Sequence, residues 1–160
     1  MSELPELLER FRRGAELVAA AATGAAGAEL DYSPGPGKWS VRQILCHVAD
    51  AEIVGAARFR RLIAEDDPPL VAYDQDAWAR NLDYGRRRIA QALETFRHVR
   101  AENHELLKNL PEEAFRRQGR HSVRGPVSLL DMLRVYARHA EQHAEQIRAV
   151  RSAYRESKSQ

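Results

Sequence analysis

Six histidines stand in this 160-residue chain, and three of them have the spacing of a metal site. His139 and His143 are four residues apart, so on a helix their side chains stack on one face. Such a pair is the commonest way in which one helix gives two ligands to one ion. A third ligand must come from another helix, and His47 is placed for it. It lies three residues after Ile44, four before Ala51 and seven before Val54, on the side that carries an apolar stripe. Buried imidazoles need partners for both ring nitrogens. A divalent cation takes one nitrogen of each ring, while carboxylates or carbonyls accept from the other. Asp50, Glu52, Glu141 and Glu145 lie within a turn of these histidines, and spacing does not say which of them faces inward. The pair also fits a second reading. Arg138, Glu141, Gln142 and Glu145 would suit a solvated helix face, and two histidines four apart are common by chance.

The remaining candidates are weaker. His98 lies between Arg97 and Arg100, and His104 beside Glu102 and Glu105, so both read as surface residues. His121 falls in an irregular segment and reads as a solvated loop histidine. Cys46 is the only cysteine, which excludes an intrachain disulfide and a Cys-rich zinc site. Next to His47, it points about 100° away around a helix and reads as a small buried side chain.

Four long helices must position these groups. In the first, Leu4, Leu7, Leu8, Phe11, Ala15, Val18 and Ala22 recur at steps of three and four, and Thr23-Gly24 stops it. The second starts with a capping-box pair, Ser40 and Gln43, flanked by Trp39 and Ile44 as a hydrophobic staple. Asp67-Pro68-Pro69 ends it. Residues 66–84 form a long connection, with one short helical piece around Asp76 to Arg80. The third helix carries Ile89, Leu93, Phe96, Asn103, Leu106 and Leu110 and stops at Pro111, before an irregular stretch from Arg116 to Pro126. The fourth opens on a second capping box, Ser128 with Asp131, stapled by Val127 and Met132. Its inward stripe includes Tyr136, His139, Ala140, His143, Ile147 and Val150. No strand pattern stands out, and the polar tail from Ser152 to Gln160 is expected to fray. The fold class is all-α: a four-helix bundle with a long connection between helices two and three, forming a single domain over residues 1–160.

The composition narrows the function classes. Lys and Arg number 25 against 23 Asp and Glu, a formal net charge of +2 with both signs interspersed, which makes nucleic acid a poor partner. The longest apolar run, Leu17 to Ala22, is too short to span a membrane. The first residues lack the basic and apolar regions of a secretory leader, so a cytoplasmic location is expected.

Three separated segments carry a family resemblance. Pro36 to Asp50 (PGKWSVRQILCHVAD), Tyr73 to Ala79 (YDQDAWA) and Tyr136 to Ile147 (YARHAEQHAEQI) resemble, in order and spacing, the motifs of the DinB-like superfamily, and most closely its YfiT-type branch, which includes bacillithiol S-transferase-like proteins. The resemblance covers roughly residues 30–150. It implies a four-helix bundle, often a homodimer, holding one divalent metal, zinc or nickel, through His47, His139 and His143. It also implies, for some members, a low-molecular-weight thiol as co-substrate. Relatives often carry a histidine where Cys46 stands and another where Gln142 stands; neither is a ligand position.

Three neutral imidazoles leave an ion its full charge and an open position. Such an ion can deprotonate a thiol, whose free pKa is about 8.5, or lower that of water from 15.7 to about 7. The first chemistry gives a thiol S-transferase, using bacillithiol, mycothiol or glutathione against an electrophile, with Arg42 or Arg80 pairing with the thiol's carboxylates. The second gives a metal-dependent hydrolase. In a third reading the metal only stabilises a non-catalytic bundle.

Overall fold

The computed structural model describes residues 3–160, so Met1 and Ser2 of the domain expected over 1–160 lie outside it. Four long helices form: α1 (Leu4–Ala22), α2 (Val41–Ala64), α4 (Ile89–Lys108) and α5 (Leu129–Lys158). A short α3 (Gln75–Asn81) interrupts the connection between α2 and α4. Both expected capping boxes are present. Ser40 Oγ accepts from the Gln43 N–H at 3.2 Å while Gln43 Oε1 accepts from the Ser40 N–H at 2.9 Å. Ser128 and Asp131 make the same exchange at 3.0 and 2.9 Å. These pairs satisfy backbone donors that would otherwise lose their water partners. The short helix begins at Asp74, whose carboxylate accepts from the N–H groups of Asp76 and Ala77.

Around the bundle, α1 packs against α4 and α5, and α2 against the same two from the opposite corner. Contacts between side chains give the directions. Glu3 meets Arg134, Arg10 meets Glu141, and Arg151 reaches the carbonyls of Ala21 and Thr23, so α1 and α5 run parallel. Glu52 meets Arg100 while Arg60 meets Asn103, so α2 and α4 also run parallel. Parallel neighbours cannot be joined by a tight turn, which is why the chain needs the long connection from Glu65 to Arg88. Two apolar clusters fill the interior. One gathers Val18, Ile44, Leu45, Val48, Phe96 and Ile147; the other gathers Leu7, Phe11, Phe59, Leu107, Leu129 and Leu133.

Three sequence expectations change. The segment from Arg116 to Pro126, read as irregular, contains β2 (Gln118–His121), which with β3 (Gly125–Ser128) makes an antiparallel hairpin; β1 (Pro69–Leu70) adds in parallel to β2. None of Gln118, Gly119, Arg120 and His121 is β-branched, so the strand has no intrinsic signal. It exists because the Arg120 and Ser122 N–H groups find the carbonyls of Pro68 and Leu70 at 2.8 and 3.0 Å. Gly119 makes that approach possible, since a Cβ there would sit 2.7 Å from the Pro68 oxygen. The tail expected to fray from Ser152 instead continues α5 to Lys158. Arg151 ties it to Glu29 at 2.7 Å, and Tyr154 packs edge-on against Tyr32. On α4 Phe96 and Asn103 are buried as expected, but Ala92, Arg100 and Leu107 complete the buried stripe, while Leu93 and Leu106 are only half-buried at its flanks.

Candidate metal centre

His47 sits two turns into α2, and His139 and His143 lie mid-way along α5, across the α2–α5 interface. The three imidazoles converge. His47 Nε2 is 3.0 Å from His139 Nε2, which is 3.1 Å from His143 Nε2. One nitrogen of each ring lies within 4.8 Å of the others, as a group able to hold a metal ion. The His47 ring also meets the Trp39 ring at 4.8 Å between centroids, so the residue before the α2 cap forms one wall.

Proton counting shows what the arrangement suits. The Nδ1 of His143 lies 2.7 Å from Gln146 Oε1, an acceptor, so it carries the N–H and leaves Nε2 a lone pair. A single N–H on His139 Nε2 cannot serve both His47 and His143. Extra protons would have to charge the rings, and the site opposes that. Burial, then the His143 charge, pushes His47 down to about 3. Burial, followed by the His143 and His47 charges, pushes His139 down to about 2. Burial lowers His143 as well, with the Gln146 hydrogen bond opposing it. A cation facing three lone pairs satisfies all of them. Nitrogens bound to one zinc at about 2.0–2.1 Å stand about 3.3 Å apart in a tetrahedron, close to the two spacings from His139, while the third nitrogen pair lies within 4.8 Å. The residues fit a divalent ion. His47 Nδ1 is buried and finds no partner among the described residues.

None of the four carboxylates considered from the sequence supports the rings. Asp50 accepts from the Tyr84 hydroxyl at 2.7 Å and from Arg87 at 3.0 Å. Glu141 pairs with Arg10, and Glu145 is exposed. Glu52 belongs to a separate buried network that sequence reading missed. It accepts from Arg100 Nε and Nη2 at 2.9 and 2.7 Å and from Asn103 Nδ2 at 3.0 Å. Arg100 also donates to the carbonyls of Phe11 and Tyr136, and its guanidinium lies over the Phe11 ring. A signal for it existed: Arg100 is four residues after Phe96 and three before Asn103, on the inward stripe, where an arginine demands a carboxylate. Gln146, one turn after His143, was equally reachable by spacing.

The remaining site residues separate. Arg42 commits its guanidinium to Asp31 at 2.7 Å and to the Arg87 carbonyl at 2.9 Å. Arg80 is exposed and, with Lys38, lines a cleft of about 540 Å³ that Trp39 separates from His47. Cys46 is buried, as expected, with its thiol toward the Tyr84 carbonyl at 3.8 Å, and burial pushes its pKa up. His121 departs from the solvated loop reading: it is 9% exposed on β2, and its Nδ1 accepts from the Val123 and Arg124 N–H groups.

Comparison with known proteins places this geometry among relatives. The model of the DinB superfamily matches residues 10–147. A candidate metal-dependent hydrolase of Oceanobacillus iheyensis is 29% identical over 119 residues, covering 74% of this chain and 69% of that protein. One of Bacillus pumilus is 30% identical over 121 residues, covering 75% and 69%. Among solved structures, YfiT of Bacillus subtilis, a four-helix bundle of unusual topology, superposes with a TM-score of 0.86 at 22% identity, covering 91% of this chain and 84% of that one. A mycothiol-dependent maleylpyruvate isomerase superposes at 0.74 with 16% identity, over 90% of this chain and 60% of its own. At these identities the two structures establish the shared fold.

Proposed function

The chain belongs to the DinB superfamily, and from that premise we propose that it is a metal-dependent enzyme of the thiol S-transferase type, with His47, His139 and His143 as ligands of one divalent ion, zinc or nickel. The observation that carries the proposal is the convergence of three neutral imidazole nitrogens at 3.0 and 3.1 Å, in surroundings that resist their protonation. An ion held there keeps its full positive charge and lowers the pKa of a thiol or water that reaches it.

The protein's own residues then favour the thiol. Hydrolysis needs a group to move protons to the leaving atom. The nearby carboxylates Asp50, Glu52 and Glu141 are each held by an arginine, and Glu145 faces solvent. A thiol, already acidic near neutral pH, needs no such base. Gln146 holds the His143 ring so that its Nε2 points inward. Trp39 shields His47 from water, and Arg80, at the rim on the far side of Trp39, is the guanidinium available for a thiol's carboxylates. In the reaction the thiolate sulfur forms a bond to an electrophilic carbon, the bond to a leaving group such as chloride breaks, and the thiol proton passes to solvent.

Hydrolysis is the second reading, favoured by the names of the relatives. The test starts with metal content per chain, by mass spectrometry, in tag-free protein and in His143→Ala. About one equivalent in the parent and almost none in the variant is expected. Bacillithiol, mycothiol and glutathione are then offered with monochlorobimane or chlorodinitrobenzene. A metal-dependent rate with one thiol supports the transferase, and turnover of ester or amide substrates without thiol supports the hydrolase. Metal with neither activity leaves a non-catalytic bundle, and no metal at all sinks both enzyme readings. A homodimer is also proposed, to be read by light scattering.

A further inference from the structure

A second polar cleft, of about 150 Å³, lies between α2, α5, the segment after β1 and the β2–β3 turn. Its polar lining is Arg58, Tyr73, Gln75, His121 and Arg124, with no carboxylate among them. Arg58 donates through Nη1 to the Tyr136 hydroxyl at 3.3 Å and through Nη2 to the Val71 carbonyl at 2.8 Å. Its Nε is buried and has no partner among the described residues. A buried guanidinium N–H without an acceptor is costly, and such groups in native proteins usually await a ligand or an ordered water.

His121 is arranged in the same sense. Its Nδ1 accepts from two backbone N–H groups, both at 3.1 Å, so the neutral ring carries its proton on Nε2. Burial, then the charges of Arg58 and Arg124, holds the ring below its ordinary pKa and so neutral at pH 7. The ring is therefore a donor by construction. Arg124, exposed at the rim, adds a second positive charge. Two guanidinium groups and an imidazole N–H lining one small cleft without a carboxylate favour an oxyanion.

We infer that this cleft is an oxyanion subsite that takes the carboxylate or phosphate group of a small substrate, beside the histidine cluster. Tyr136 joins the two regions: its hydroxyl is on Arg58, and its ring lies 6.1 Å from that of His139 between centroids. The substrate role rests on the metal-enzyme reading above; anion binding in the cleft does not.

The experiment separates them. Inorganic phosphate, and separately acetate, is titrated into the full chain and into His143→Ala, with arginine Nε–H and histidine ring resonances followed by nitrogen-15 NMR. Saturable shifts at Arg58 Nε and His121 Nε2 are expected in both proteins. Arg58→Met is expected to weaken binding by about tenfold or more, as loss of a charged hydrogen bond does. Arg124→Ala, at an exposed position, is expected to weaken it several-fold and keeps the test valid if Arg58→Met does not fold. Absence of saturable shifts overturns the inference. So do shifts that vanish in His143→Ala, which put the anion on the metal, and midpoints unchanged by both arginine variants. For the substrate role, Arg124→Ala should raise KM for chloronitrobenzoate and leave that for uncharged chlorodinitrobenzene; equal effects on the two would remove it.

Discussion

Five residues apart on α2, His47 and Glu52 open two buried polar clusters of opposite character. Around Glu52 every charge has a counter-charge and the hydrogen bonds close on themselves: the Glu52 and Arg100 side chains are 0% and 1% exposed, and Asn103, Phe11 and Tyr136 supply the remaining partners. Around His47 three nitrogens face one another with too few protons, and one Nδ1 is orphaned. The closed cluster joins α2 to α4, with ties to the backbones of α1 and α5, and its donors and acceptors are matched. The open cluster joins α2 to α5 and presents three ring nitrogens that could hold a metal ion. Burial alone therefore does not single out a candidate ligand site; unsatisfied, convergent lone pairs do.

The sharpest way to break this contrast is Arg100→Met, which leaves Glu52 buried without its counter-charge. A loss of about 3–5 kcal/mol in urea unfolding is expected, partly recovered by adding Glu52→Gln. If Arg100→Met unfolds like the parent, the closed cluster is not a structural tie. His143→Ala should behave in the opposite way. In chelated protein its stability should stay within about 1 kcal/mol of the parent. Metal at a thousandfold over Kd should raise the melting temperature of the parent by the equivalent of about 4 kcal/mol and leave the variant unmoved. A subtler change is Gln146→Leu, which removes the acceptor that orients His143. Metal affinity should fall by about 10–100-fold, read by chelator competition, with little effect on the apo fold. The smallest effect is expected from Ser40→Ala, which removes the α2 cap from a helix both clusters share. A loss of about 1 kcal/mol with unchanged metal stoichiometry is expected, and a loss of metal would show that the cap also sets the His47 position.

Much of the open cluster was legible in the sequence. His139 and His143 share a face by helical spacing alone, and His47 follows the periodicity of its own stripe. The closed cluster was not read. Arg100 lies between Phe96 and Asn103 on the buried stripe, yet its charge argues for the surface until Glu52 is known to face it. His121 misled for a related reason. Its strand is made by the carbonyls of Pro68 and Leu70, some fifty residues earlier in the chain, and no local pattern announces them. The same holds for the end of α5, where polar residues suggested fraying but Arg151 reaches back to Glu29 and the end of α1.

What the chain determined by itself is what local backbone chemistry and periodicity control. The capping boxes at Ser40 and Ser128, the stop at Asp67-Pro68-Pro69, the four long helices and the stacking of His139 on His143 all depend on atoms within a few residues of one another. Tertiary structure alone decided which partners the polar groups found. The rotation of each helix about its axis sent Glu52 to Arg100 and Asp50 to Tyr84 and Arg87, away from the histidines. The physical reason is range: a cap or a stripe is satisfied within one or two turns, whereas a buried charge is satisfied only by whatever another helix brings to it.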